Sequence, residues 1–145
     1  MTPISFSTSI DINAAPEAVF AVMSDVERWH EWTASVTSIT RLDSGPFVVG
    51  SRARVRQPKL LPALWTVTAI EPGRAFTWVS KAPGLLVTAR HAAEPRNGGS
   101  QATLSIRYEG VMARLIVWMV GDLNDRYLAM EAQGLKRRCE GAGTS

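Results

Sequence analysis

The sequence predicts an α+β fold in which a strongly curved antiparallel β-sheet of about seven strands wraps around one long C-terminal helix. Short strand-like runs separated by glycine and proline fill the chain from about residue 50 to 110. Beyond residue 113 the apolar residues recur at helical spacing instead. The 145 residues are expected to form one domain, residues 1–145. Because a curved sheet closed by one helix encloses a cavity, this architecture favours a small-ligand site.

The N-terminal residues predict one strand and two short helices. From Ile4 to Ile12 apolar residues alternate with serine and aspartate, which is typical of a half-buried strand. Pro16 suits the first position of a helix, where no amide hydrogen is needed. Val19, Phe20 and Met23 then recur at helical spacing. A short helical or turn segment is expected to carry Trp29 and Trp32.

Six further strands are each expected to end at a turn signal such as Asp43-Ser44-Gly45-Pro46 or Pro72-Gly73. Such even spacing predicts an antiparallel meander rather than crossover units. The predicted strands span residues 36–42, 52–57, 65–70, 76–80, 85–93 and 101–109.

Alternate residues of a strand face opposite sides of the sheet, and in each of the last five strands the more apolar set is expected to face inward. Small residues on this face, together with Ala93 and Gly134, predict a sizeable cavity, since well-packed interiors leave few voids. The predicted inward residues are Ala53, Val55, Gln57, Trp65, Val67, Ala69, Phe76, Trp78, Ser80, Val87, Ala89, His91, Leu104, Ile106 and Tyr108.

Residues 113–138 predict the long helix, whose apolar stripe should lie against the sheet. Arg126 interrupts this stripe. It either clamps a ligand carboxylate, pairs with Asp122, or extends to the helix edge. The predicted stripe consists of Leu115, Ile116, Met119, Leu123, Tyr127, Met130 and Gly134.

Composition and charge exclude several classes of function. The chain is 46% hydrophobic and 20% charged with a net charge of +3, but its cations form no dense block, so no nucleic-acid partner is expected. A single cysteine, Cys139, allows neither an internal disulfide nor a cysteine-based metal site. The N-terminus lacks a secretory signal, and Val111–Val120 is too short to span a membrane. A cytoplasmic protein, monomeric or a weak homodimer, is expected.

Several segments resemble the START-like (SRPBCC) superfamily, and within it the polyketide cyclase/dehydrase-like branch. They are residues 15–20 (APEAVF), 25–32 with two tryptophans, Glu71-Pro72 followed by Phe76-Thr77-Trp78, Gly98-Gly99, and residues 131–137 (EAQGLKR). The resemblance spans nearly the whole chain and implies the helix-grip fold. One departure is Ala93, where relatives often carry a bulky aromatic residue.

The inward-facing strand residues and the apolar stripe of the long helix together suggest candidate ligand-binding residues. Indole rings can stack on an apolar ligand, while His91 and Tyr108 are candidates to hold or transfer a proton, although each also suits a structural hydrogen bond. The candidates are Trp65, Phe76, Trp78, His91, Leu104, Tyr108, Met119, Leu123 and Arg126.

Three functions are compatible with the sequence. The first is binding or transport of a small hydrophobic or aromatic molecule. The second, implied by the resemblance, is a cofactor-free polyketide cyclase or dehydratase using His91, Tyr108 or Arg126. The third is an interaction subunit with Val117 and Trp118 at its surface. No cofactor or metal is expected, because the sequence lacks phosphate-binding, metal-binding and nucleophile-elbow motifs.

Overall fold

The computed structural model describes residues 3–142, and the side chain of residue 142 lies outside the description. Seven strands precede a long C-terminal helix, with two short helices after the first strand, so the predicted α+β class is confirmed. The elements are β1 (Ile4–Ile12), α1 (Pro16–Ser24), a 3₁₀ helix (Val26–Glu31), β2 (Ser38–Arg41), β3 (Arg52–Arg56), β4 (Ala63–Glu71), β5 (Ala75–Ala82), β6 (Leu85–Arg96), β7 (Gly99–Glu109) and α2 (Ala113–Ala142).

All seven strands form one antiparallel sheet in the order β1-β7-β6-β5-β4-β3-β2. Strands β2 to β7 follow one another as a meander, as predicted, and β1 closes the sheet by pairing with β7. Strands β4 to β7 are longer than expected, whereas β2 and β3 are shorter. Pro95 lies inside β6, and the turn to β7 narrows to Asn97 and Gly98. Both turn residues have positive φ, at 51° and 81°, which suits a tight hairpin.

Helix α2 packs mainly on one side of the sheet, against β1, β7 and α1. Polar contacts hold its C-terminal half. The Lys136 ammonium donates to the backbone oxygen of Asp11 at 2.8 Å, and Arg138 pairs with Glu31 of the 3₁₀ helix at 2.8 Å. Near the middle of α2, the Tyr127 hydroxyl donates to the backbone oxygen of Pro58, in the β3–β4 connection. Because the helix lies closest to β1 and β7, space remains between it and the middle strands.

One strand departs from the predicted alternation. Ala69 was expected to face inward, but it is exposed. The register of β4 against β5 shifts between Val67 and Ala69, which is a β-bulge. Because a bulge inserts an extra residue and changes the parity beyond it, Ile70 packs on the core instead of Ala69.

The predicted apolar stripe of α2 was also wrong in phase. Leu115 and Met119 are 48% and 64% exposed, and Gly134 is the one residue of the predicted stripe that is fully buried. The other buried residues of the C-terminal half are Leu128, Ala132, Leu135 and Cys139. The helix is therefore turned by about one residue from the predicted orientation, and two polar residues, Asn124 and Glu131, belong to the packed side. Within residues 3–142, no helix combines the length and hydropathy needed to cross a membrane.

Candidate ligand-binding site

A cavity lies between the middle of the sheet and the C-terminal half of α2. Its volume is about 60 Å³, enough for a few water molecules but below the roughly 150 Å³ of an engineered cavity that holds benzene. The predicted cavity is therefore present but much smaller than expected, because aromatic rings fill the space. Its walls are formed by Trp29, Val36, Val55, Gln57, Trp65, Trp78, Ala89, His91, Leu104, Ser105, Ile106, Leu128 and Glu131.

Three indole rings form much of the wall. The Trp78 ring lies between the other two, with centroid distances of 5.5 Å to Trp65 and 5.8 Å to Trp29. Trp29 donates its indole N–H to the backbone oxygen of Met23 at 2.9 Å, which fixes the orientation of its ring. Trp65 remains partly accessible, so it lies where the cavity approaches the surface. The surface available to a ligand is thus mainly the faces and edges of aromatic rings.

His91 reaches the cavity from β6 and is almost completely buried. Its imidazole stacks on the ring of Phe76 at 4.7 Å and meets the edge of Trp29 at 5.0 Å. Nδ1 is buried without a hydrogen-bond partner in the described chain. Burial lowers the pKa of His91 to about 3, because an imidazolium ion would lose its hydration in this apolar setting. The imidazole is therefore neutral at physiological pH.

Glu131 faces the cavity from α2, between Leu128 and Leu135 on the packed side of the helix. No hydrogen bond or ion pair from residues 3–142 reaches its carboxyl group. Burial raises the pKa of Glu131 to about 8, because a charged carboxylate would be desolvated there. Part of its surface stays accessible, since the side chain borders the cavity. At neutral pH it is mostly a protonated acid, able to give or take one proton.

Tyr108 lies away from this cavity. Its hydroxyl and the side-chain oxygen of Asn124 on α2 are 2.7 Å apart in a hydrogen bond that the hydroxyl donates. Tyr108 packs with Val87 and Ala113 in a second apolar cluster near the start of α2. Burial raises the pKa of its phenol, an effect partly offset by the hydrogen bond with Asn124. Tyr108 was predicted either to hold or transfer a proton or to make a structural hydrogen bond, and this geometry fits the structural hydrogen bond.

The structure brings four of the nine candidate residues to the cavity: Trp65, Trp78, His91 and Leu104. Phe76 is fully buried behind the ring of His91. Because of the phase of α2, Met119, Leu123 and Arg126 do not line the cavity, and Arg126 is exposed with no ion pair in the described part of the chain.

Trp29 and Glu131 are two of the nine cavity residues that were not among the predicted candidates. The sequence carries a signal for each. Glu131 follows Leu128 by three residues and precedes Leu135 by four, so the three share one helix face. Trp29 follows Val26 by three, in register with the buried residues of α1. In both cases the spacing from buried neighbours indicates that the side chain faces the core. The signal is easily missed because Glu131 is polar and Trp29 lies in a turn-like segment.

An antiparallel sheet that holds one long helix over an apolar cavity is the architecture of START-like (SRPBCC) proteins. Residues 3–140 match the family described as polyketide cyclase/dehydrase and lipid transport. The chain belongs to this family, as the sequence resemblance implied. No curated protein sequence matches the chain.

Solved structures with the same fold are distant in sequence. A Thermus thermophilus protein, TTHA0849, superposes with a TM-score of 0.77 at 18% identity, covering 96% of this chain and 99% of that one. The Zhui aromatase/cyclase from a Streptomyces species superposes with a TM-score of 0.73 at 14% identity, covering 98% of this chain and 99% of that one. A START superfamily protein from Mycobacterium smegmatis superposes with a TM-score of 0.74 at 14% identity, covering 95% of this chain and 98% of that one. At these identities the similarity shows the fold alone.

Proposed function

We propose that this protein binds a small hydrophobic or aromatic molecule, part of which enters the cavity between the sheet and α2. The observation that carries the proposal is the wall of three indole rings, from Trp29, Trp65 and Trp78, around a space that the polypeptide leaves unfilled. Ligand sites typically combine such an apolar lining with a few convergent polar groups. Gln57, His91 and Glu131 are the groups of this kind here.

The cavity volume of about 60 Å³ limits how such a molecule binds. Only a few heavy atoms fit without rearrangement, so the remainder of the ligand extends toward the accessible edge at Gln57 and Trp65. Family membership supports the same proposal, because the family includes lipid-transport and ligand-binding proteins.

Contact quenching of tryptophan fluorescence tests the proposal. We expect 6-bromohexan-1-ol to quench the emission of the parent protein in a saturable manner, because its bromine atom would contact the cavity indoles. Trp65→Phe and Trp78→Phe should each reduce the quenched fraction. Trp118→Phe is the matched control, because Trp118 is 82% exposed on α2; the quenched fraction should persist there. Quenching that disappears only in Trp118→Phe would place the ligand on the helix surface and refute the proposal.

A second function, a cofactor-free cyclase or dehydratase, is supported by one observation. His91 and Glu131 face the same cavity, where Glu131 is a protonated acid whose pKa of about 8 lies near the operating pH and the neutral His91 imidazole is a hydrogen-bonding group. General acid–base catalysis contributes about 10²–10⁴-fold to a rate. If the protein turns over a polyketide-like substrate, Glu131→Gln should reduce turnover at least a hundredfold while substrate binding is largely kept.

A further inference from the structure

The cavity has an unusual distribution of charge. Of the residues that line it, only Glu131 and His91 are ionisable, and no arginine or lysine is among them. The facing residues of the neighbouring elements are uncharged: Trp29 in the 3₁₀ helix, Gln57 after β3 and Leu104 in β7. The only charge that the cavity wall can carry at neutral pH is therefore negative, on Glu131.

Glu131 also has no partner within the chain. The side chain is half-buried at the cavity wall, so water or a ligand, rather than another residue, can satisfy the carboxyl group. No hydrogen bond or ion pair from residues 3–142 reaches this carboxyl group. The Glu131 carboxyl is thus the one acidic group of the cavity wall and is free to pair with a ligand.

The indole rings around the cavity favour the same type of ligand. The face of an indole ring is electron-rich and attracts organic cations, most strongly when the cation is removed from water. Trp65 and Trp78 lie against each other at 5.5 Å, and both border the cavity that Glu131 faces. An unpaired carboxyl group beside such rings is complementary to an ammonium group.

We propose that the ligand of this cavity carries a basic amine, which binds as an ammonium ion paired with Glu131 and in contact with the indole rings of Trp65 and Trp78. This inference rests on the proposed function. A space of about 60 Å³ accommodates an ammonium group with one or two attached carbons, and the apolar remainder of the ligand would extend past Trp65.

Proton balance predicts how binding depends on pH. Before binding, Glu131 carries a proton; pairing with an ammonium ion requires that this proton leave for the solvent. Because burial holds the pKa of Glu131 at about 8, the affinity for an ammonium ion should rise about tenfold per pH unit from pH 6 to pH 7.5. His91 contributes nothing to this dependence, since its pKa of about 3 keeps it neutral throughout that range.

Three probes with the same chain and different head groups test the inference: hexylamine, hexan-1-ol and hexanoate. Isothermal titration calorimetry at pH 6, 7 and 7.5, in two buffers of different ionisation enthalpy, measures affinity and proton release. We expect hexylamine to bind at least tenfold more tightly than hexan-1-ol at pH 7.5. About one proton should be released at pH 6, and hexanoate should bind weakest.

Variants separate the role of Glu131 from binding in general. Glu131→Gln should abolish the preference for hexylamine and its pH dependence while hexan-1-ol still binds. Glu94→Gln is the matched control, because Glu94 is exposed on β6 and has no ion pair in the described chain; it should leave all affinities unchanged.

The possible failures are distinguishable. If hexan-1-ol binds as tightly as hexylamine, or if hexylamine affinity does not rise with pH, the amine inference is overturned while the proposed function stands. If no probe binds, and contact quenching of tryptophan is also absent, the proposed function fails and the inference fails with it. A hexylamine preference that persists in Glu131→Gln overturns the assignment of the pairing group.

Discussion

A Glu131→Gln variant is expected to lose a pH dependence of stability that the parent protein shows between pH 6.5 and 8. In that interval Glu131 should lower the free energy of unfolding of the parent by about 1.5 kcal/mol, because a buried group that keeps its proton contributes about 1.4 kcal/mol per pH unit and half of that at its pKa. The pKa of Glu131 is about 8 in the folded state and 4.5 as its ordinary value. The unfolded chain therefore releases a proton that the folded protein retains, so stability falls as pH rises.

His91 acts in the opposite direction at lower pH. Its pKa of about 3 in the folded state lies below the ordinary 6.5. The unfolded chain therefore binds a proton that the folded protein excludes, and stability falls as pH drops below 6.5. In the parent the two contributions largely cancel between pH 4.5 and 6.5, so the total stability of the parent should fall with pH only above pH 6.5.

Urea unfolding at pH 6.5, 7, 7.5 and 8 measures this difference. Glu131→Gln preserves the shape of the side chain and removes its titration, so its stability should not fall over the interval and should rise slightly just above pH 6.5 as His91 of the unfolded chain loses its proton. Glu94→Gln again serves as the control and should follow the parent. Parallel pH curves for the parent and Glu131→Gln would show that Glu131 is not desolvated in the folded protein.

Gly134→Ala is expected to lower the free energy of unfolding by about 2–3 kcal/mol, the upper range for overpacking a core. In an ordinary helix interior, alanine is about 1 kcal/mol more favourable than glycine. At Gly134, however, an added Cβ would overlap the backbone oxygen and carbon of Trp32. Because backbone atoms cannot rotate away, α2 would have to move from the end of the 3₁₀ helix.

Gly121→Ala is the matched control for this change. Gly121 lies in the same helix, and the nearest atom to an added Cβ is a Val117 methyl group at 4.0 Å, an ordinary contact. The control should be as stable as the parent or slightly more stable. Thermal unfolding followed by circular dichroism compares the two variants. If Gly134→Ala also stabilised the protein, the close approach of α2 to Trp32 would be absent.

The fold could be predicted from the sequence because its elements have clear periods and clear ends. Ile4–Ile12 alternates strictly and is paired along its whole length with β7. The turns at Asp43-Ser44-Gly45-Pro46 and Pro72-Gly73 separate strands as expected. These signals are local, so they can be recognised in the sequence without knowledge of tertiary contacts.

The site could be predicted only in part, because its features depend on tertiary packing. Apolar residues such as Leu115 and Met119 gave α2 a misleading stripe, while the packed side contains Asn124 and Glu131. A single bulge in β4 reversed the parity at Ala69. The size of the cavity depended on how the tryptophan rings fill it, which no periodicity reveals.

We expect a small apolar molecule to enter the space between the sheet and α2. Titration of ¹⁵N-labelled protein with hexan-1-ol, followed through the five tryptophan indole N–H signals, tests it most directly. The signals of Trp65 and Trp78 should shift and saturate together, while that of Trp118 should stay unchanged. A titration that shifts Trp118 and leaves Trp65 and Trp78 in place would contradict it.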